Sequence, residues 1–257
     1  VGNFKFYDMA KQVGLLKLVG TLGDISFYKS FYGFLARRKT GVDRKTVLRD
    51  PRFQRTRENA SEFGRAAKAG KLLRDAIQPL PKHARDSMMV QRLAQRMMKV
   101  LQSDTVNGRG MRTVAQGELS LLNGFDFNIN AKLDTTIHTG FEARFDRFTG
   151  EANLDLNTHF PKRDIKAPHG VTHYKVSFGV AALNFDALKS ICVIDESEML
   201  SKDSIVVREV SMTAIIQPGL SFPVVLLMGI SFYQEVNGEF FGLEDRRFNT
   251  LGIVGIH

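Results

Sequence analysis

Cysteine and tryptophan are nearly absent: the 257 residues hold one Cys, Cys192, and no Trp. A single thiol excludes an internal disulfide framework and a cysteine-based zinc cluster. No window approaches the roughly 18 uninterrupted apolar residues that mark a membrane-spanning helix. No basic stretch followed by an apolar run marks a secretory leader, so the compartment, extracellular or cytoplasmic, stays open. With 43% apolar and 25% charged residues, the chain is neither disordered nor collagen-like. No internal repeat or low-complexity tract interrupts it.

Motifs for chemistry are missing as well. Gly64, Gly70, Lys71 and Leu72 imitate a phosphate loop, but the glycines are one residue too far apart and Leu72 stands where a magnesium-binding hydroxyl belongs. His138, His159, His169 and His173 do not share the rigid, convergent placement a metal demands. Asp195, Glu196 and Glu198 crowd a presumed turn, where solvated carboxylates lack the separated environments of an acid–base pair. There is no Gly-x-Ser-x-Gly nucleophile elbow. The expectation is a non-enzymatic protein with no catalytic residue, no cofactor and no metal.

What the chain does have is Phe, 20 residues of it, and a formal net charge of +9. The charge is divided. Residues 1–112 hold 24 Lys and Arg against 9 Asp and Glu, whereas residues 113–257 hold 12 against 18. A basic protein suits nucleic acid or an anionic surface. A chain with opposite ends suits copies of itself, the basic part of one meeting the acidic part of the next.

The periodicity predicts an α+β fold: an N-terminal β-hairpin or meander and an αα-hairpin, followed by a mainly antiparallel β-sandwich. Residues 1–58 read as an N-terminal extension and hairpin with a basic segment, 59–112 as the helical hairpin and 113–257 as the β-rich domain. Strand patterning starts with the alternation at Leu16 and Leu18 and resumes at Ile25–Lys29 and Phe34–Arg38, with a turn at Thr21–Asp24. Asp50-Pro51 reads as a breaker. Asn59 or Ser61 suits the cap of a helix whose apolar face includes Phe63, Ala66, Leu73, Ile77 and Leu80, stopped by Pro79 and Pro81. Gly64 and Gly70 inside it suggest close approach by another element, since each costs about 1 kcal/mol relative to Ala. Asp86 or Ser87 opens a second helix with Met89, Val90, Leu93, Met97, Val100 and Leu101 on one face and Arg85, Arg92, Arg96 and Lys99 on the other.

Beyond Thr113 the expected strands are Phe125–Leu133, Thr136–Phe148, Glu151–Leu156, Thr172–Val180, Ile191–Ile194, Ser204–Ile216, Val224–Val236, Phe240–Leu243 and one near Leu251–Ile256. Hairpin turns are expected at Thr149-Gly150 and Asn237-Gly238, the latter a type I′ turn.

The function these features predict is self-assembly into a filament, tube or shell. An unfinished sheet can complete that of a neighbour through main-chain hydrogen bonds. Leu16, Leu18, Ile25, Phe27, Phe31 and Phe34 are the candidate self-association residues. Arg37, Arg38, Lys39, Arg44, Arg49, Arg52, Arg55 and Arg57 form a candidate basic contact surface. Two alternatives stand beside this one. Lys29 to Leu35 interleaves aromatics with a basic residue, and with the arginines it suits nucleic acid; a β-sandwich also suits a ligand- or protein-binding module.

Three groups of residues carry a resemblance. They are Gly20-Thr21-Leu22-Gly23-Asp24-Ile25-Ser26-Phe27-Tyr28-Lys29, Asp50 to Asn59 with Glu62-Phe63-Gly64, and Lys68 to Arg74; the likeness continues at Gly124–Asn128 and Phe232–Gly238. Together they resemble a family of Bacteroidota proteins with GTxGxxSFYK and DPxFxRTRENxxEFG motifs. The resemblance implies no activity and no site residue. It does imply that Val1–Asp8 is an addition ahead of a start near Met9.

Overall fold

A computed structural model describes residues 9–38 and 42–257. The Val1–Asp8 extension and Lys39 lie outside the described residues. The chain divides into two compact units, residues 1–57 and residues 58–257.

The first unit contains a four-stranded antiparallel sheet in the order β1-β4-β3-β2, built from β1 (Met9–Lys11), β2 (Gly20–Leu22), β3 (Ile25–Ser30) and β4 (Gly33–Arg38). The alternation seen at Leu16 and Leu18 is not a strand: both lie in the loop between β1 and β2. The turn is tighter than Thr21–Asp24 suggested, with Gly23 at φ +55° and β2 running through Leu22. After β4 comes α1 (Arg44–Arg49), capped by Asp43.

Asp50-Pro51 is both a break and a start: α1 ends at Arg49, and Asp50 beyond it is extended. The Asp50 carboxylate accepts from the Arg52 N–H at 2.9 Å, and Pro51 opens a 3-10 turn over Pro51–Phe53. Proline is tolerated there because the first turn has no use for its missing N–H. The turn leads straight into α2 (Gln54–Ala76), so the helix begins five residues before Asn59.

In the second unit α2 is followed by the Pro79–Pro81 corner and by α3 (Met89–Gln102). The Asp86 carboxylate accepts from the Met88 N–H at 2.6 Å at the start of α3. Ala66, Leu73, Ala76, Ile77 and Leu80 are buried, as are Met89, Leu93, Met97, Val100 and Leu101. Phe63 and Val90, expected on the apolar faces, are exposed. Gly70 faces Leu93 and Met97 at ordinary contact distance, and Gly64 faces open space. Neither glycine marks a close approach.

The β-rich part is antiparallel throughout. One sheet joins β5 (Phe141–Asp146), β6 (Glu151–His159) and β10 (Arg208–Ile215) in the order β10-β6-β5. The larger sheet centres on β7 (His173–Asn184), flanked by β8 (Lys189–Glu196) and the short β9 (Leu200–Ser201). It is completed by β11 (Val224–Val236), β12 (Glu239–Gly242) and β13 (Thr250–Ile256). Asn237 at φ 54° and Gly238 at φ 84° make the β11–β12 turn, and Gly150 at φ 75° makes the β5–β6 turn, as the sequence predicted.

Period-two patterning assigns each face of the large sheet. Tyr174, Val176, Phe178 and Val180 on β7, with Leu226, Met228 and Ile230 on β11, share a core with Leu154, Leu156 and Met212 of the small sheet. The opposite face, through Ala181, Leu183, Val225, Leu227, Leu251 and Ile253, packs with the buried residues of α2 and α3. The sheets curl toward one another. At one margin the Thr213 N–H of β10 donates to the Asp195 carboxylate of β8 at 3.1 Å; at the other the Phe145 and His257 rings lie 5.8 Å apart.

The run Phe125–Leu133 corrects another expectation. It makes one bridge, Asp126 to Gly252, beside β13 and is otherwise irregular. Asn128 prevents a longer strand. It is fully buried, and its amide donates to the Arg246 and Asn249 carbonyls at 2.7 Å while its oxygen accepts from the Asn130 N–H, turning the chain away.

Candidate assembly surface

Among the described residues of the first unit, none is buried. Cross-strand partners point to the same face of a sheet, so the register sorts its side chains. Phe27 pairs with Ala36 and Gly20, Ile25 with Arg38 and Leu22, Lys29 with Phe34, and Ala10 with Ala36. One face is therefore Leu22, Ile25, Phe27, Phe34, Ala36 and Ala10, rimmed by Lys29 and Arg38. Lys29 Nζ lies 5.7 Å from the Phe34 ring centroid. The other face is more polar, with Thr21, Ser26, Tyr28 and Arg37; Arg37 stacks on Tyr28 at 5.4 Å.

Of the six predicted self-association residues, Ile25, Phe27 and Phe34 come together on that apolar face. Phe31 sits in the β3–β4 turn beside Tyr32, at 97% exposure and with the two rings 5.5 Å apart. Leu16 and Leu18 belong to the β1–β2 loop. Sequence reasoning missed what holds that loop. The Gln12 side chain donates to the Leu18 and Leu35 carbonyls at 3.2 and 3.0 Å and accepts from the Leu18 N–H at 2.8 Å, and Lys17 Nζ donates to the Gln12 carbonyl at 2.6 Å. Clipped this way, the loop exposes Val13, Leu15, Leu16 and Val19 together. The signal available beforehand was one amide between Lys11 and an apolar run.

The predicted basic residues do not form one stripe. Arg37 and Arg38 point to opposite faces of β4. Arg52 is held by Asp50, whose carboxyl is lowered by that side-chain hydrogen bond. Arg57 donates to the Val47 and Asp50 carbonyls at 2.8 and 2.9 Å, closing the end of α1. Arg44, Arg49 and Arg55 are exposed. The charge excess nonetheless belongs to this unit: residues 1–57 hold 13 Lys and Arg against 4 Asp and Glu, and residues 58–257 hold 23 of each.

In the second unit His159, Tyr174 and His173 serve packing. His159, fully buried, contacts the Tyr174 hydroxyl at 3.0 Å and the Asn157 carbonyl at 3.0 Å, and burial raises the Tyr174 phenol. His173 sits against Thr172 at 3.0 Å and the Phe240 ring at 4.8 Å. Among the described residues no group of three or more His, Cys, Asp or Glu side chains converges on a point where a metal could sit. No helix of the described residues is long and apolar enough to cross a membrane.

No family model matches the chain, and no curated protein matches it. Among solved structures, a chain from "pH-induced modulation of Streptococcus parasanguinis adhesion by Fap1 fimbriae" aligns at 12% identity over 44% of this chain and 76% of its own length, with a TM-score of 0.22. A likeness this slight carries no argument about fold or function.

Proposed function

We propose that this protein is a non-enzymatic structural subunit that assembles with copies of itself through its N-terminal sheet, and that it belongs with the Bacteroidota proteins whose motifs it shares. The observation that carries the reading is a four-stranded sheet without a single buried residue among those described. Such a sheet needs its apolar face covered to be stable, and contiguous exposed apolar surface marks an interaction site. Fully burying the exposed Ile25 contributes about 1.5–3 kcal/mol, and completing the burial of the half-buried Phe27 and Phe34 contributes less for each.

A second copy is the occupant that charge favours. The unit bearing the face carries the whole excess of +9, and residues 113–257 carry 12 basic against 18 acidic residues. Head-to-tail contact between unlike surfaces generates rings or open filaments. The exposed ion pairs set orientation more than affinity. The outer strands β1 and β2 also present main-chain donors and acceptors to a neighbour's strand. In the same reading the two curled sheets of the second unit form a sandwich, the rigid body that such an assembly repeats.

The test is light scattering with negative-stain imaging of nuclease-treated protein. The intact chain is expected to form particles of many copies, and Ile25→Asp with Phe27→Asp is expected to leave a folded monomer. Removal through Lys39 should do the same. If the charged variant assembles like the intact chain, the reading fails; if assembly requires polynucleotide and dissolves steeply with salt, nucleic-acid binding replaces it.

A further inference from the structure

A cavity of about 310 Å³ opens between the polar face of α3 and the irregular run that follows Gly124. Arg92, Arg96 and Lys99 reach it from successive turns of the helix, Lys132 closes it from the other side, and Asp126 is the one acidic side chain among the lining residues. Their roles differ. Arg92 is fixed: it pairs with the buried Asp86 carboxylate, donates to the Asp126 carbonyl at 2.8 Å and lies over the Phe125 ring at 5.1 Å. Its Nε is buried without a partner. Arg96 has one long bond, 3.3 Å, to the Leu121 carbonyl. Among the described residues, neither Arg96, Lys99 nor Lys132 takes part in an ion pair.

We infer that this groove binds the phosphate or sulfate group of a small soluble ester, with Arg96, Lys99 and Lys132 holding the oxyanion and the immobilised Arg92 forming its back wall. Three cations that form no ion pair surround one concavity whose single carboxyl, Asp126, acts on Lys132 through space; the positive excess that remains is one an oxyanion offsets. Arginine does so with a planar fork of donors and lysine as a point charge. The volume is that of a small-molecule site and not of a macromolecular interface. Gln95, also on the lining, offers an amide to the organic part of the ester. Asp126 opposes the ligand, but one of its carboxylate oxygens is occupied by the Leu133 N–H at 3.1 Å and burial raises its carboxyl above the ordinary value. This site lies wholly within residues 58–257 and does not depend on the assembly reading.

Calorimetry of the full chain at low salt tests it, with glucose 6-phosphate and inorganic phosphate as probes and glucose as the uncharged control. Saturable binding of glucose 6-phosphate is expected, tighter than phosphate and absent for glucose. The pair Lys99→Glu and Lys132→Glu should weaken it at least about tenfold, with Lys189→Glu on β8 leaving it unchanged. Asp126→Asn should strengthen it about threefold, a gain that a misfolded variant cannot mimic. No saturation by either phosphate below about 10 mM, or equal loss in Lys189→Glu, overturns the inference. Binding confined to vesicles of phosphatidylglycerol in phosphatidylcholine also overturns it, because the anion would then belong to a membrane surface.

Discussion

Leu80, at the corner after α2, is seated on Gly179 of β7 so closely that a methyl group at position 179 would stand 2.8 Å from its Cδ1. Both positions are internal to the contact between the helices and the large sheet. Gly179→Ala is therefore expected to cost about 1–3 kcal/mol by overpacking, and Leu80→Ala about 2–5 kcal/mol by leaving a cavity. The double variant should lose clearly less than the sum, since the new methyl occupies part of the vacated space. Urea unfolding of the four proteins measures the coupling; strict additivity would contradict the contact.

Glu62 of α2 is almost fully buried, and its carboxylate accepts from the Gly110 N–H at 2.7 Å with Arg112 at 4.0 Å. Arg65, one turn on, donates to the Arg112 carbonyl at 2.7 Å, so two side chains of α2 grip the same loop. Glu62→Ala strands a buried donor and is expected to cost about 1–3 kcal/mol. Glu62→Gln keeps an acceptor in place and should cost less. Hydrogen exchange at Gly110 is the direct readout, faster in the alanine variant than in the glutamine one.

Asp164 is held at about 2, below its ordinary 3.8, first by the Arg163 guanidinium at 2.7 Å and then by the Phe160 N–H at 2.9 Å. A carboxyl lowered in the folded state binds protons more readily in the unfolded one, so its stabilisation is full above about pH 4 and disappears as the pH falls through about 2. Asp104 is lowered too: its burial is outweighed by the Asn107 amide and by the Thr113, Asn107 and Val106 N–H groups. Asp164→Asn should lower stability at neutral pH, with the difference from the parent protein closing between about pH 4 and 2. Denaturant midpoints across that range check the sign.

Burial pushes the Cys192 thiol up to about 11. The thiolate is the reactive form, so alkylation by iodoacetamide near pH 8 should be at least about tenfold slower in the native protein than in urea. Comparable rates in both conditions would show that β8 leaves the sulfur open.

Local signals that act across a few residues were legible in the sequence. Asn237-Gly238 specified a turn because both positions require positive φ, and the α3 stripe from Met89 to Leu101 specified a buried face because helical periodicity lines those side chains up. The alternation Phe141, Ala143, Phe145 marked β5 for the same reason. The division of charge was likewise a property of the chain itself.

Tertiary structure decided whatever depended on a distant partner. Phe125–Leu133 has the composition of a strand, yet Asn128 bonds to carbonyls more than a hundred residues away and bends it. Leu16 and Leu18 alternate like strand residues, but they sit in a loop clipped by Gln12. Arg92 and Lys132 are 40 positions apart, and no periodicity links them; their groove exists because the chain after Gly124 packs back along α3. The face formed by Ile25, Phe27 and Phe34 is the sharpest case. Apolar residues in a strand announce that they will be covered, but only the arrangement of the other elements reveals that none of the three is fully buried: Ile25 is exposed, and Phe27 and Phe34 are half-buried.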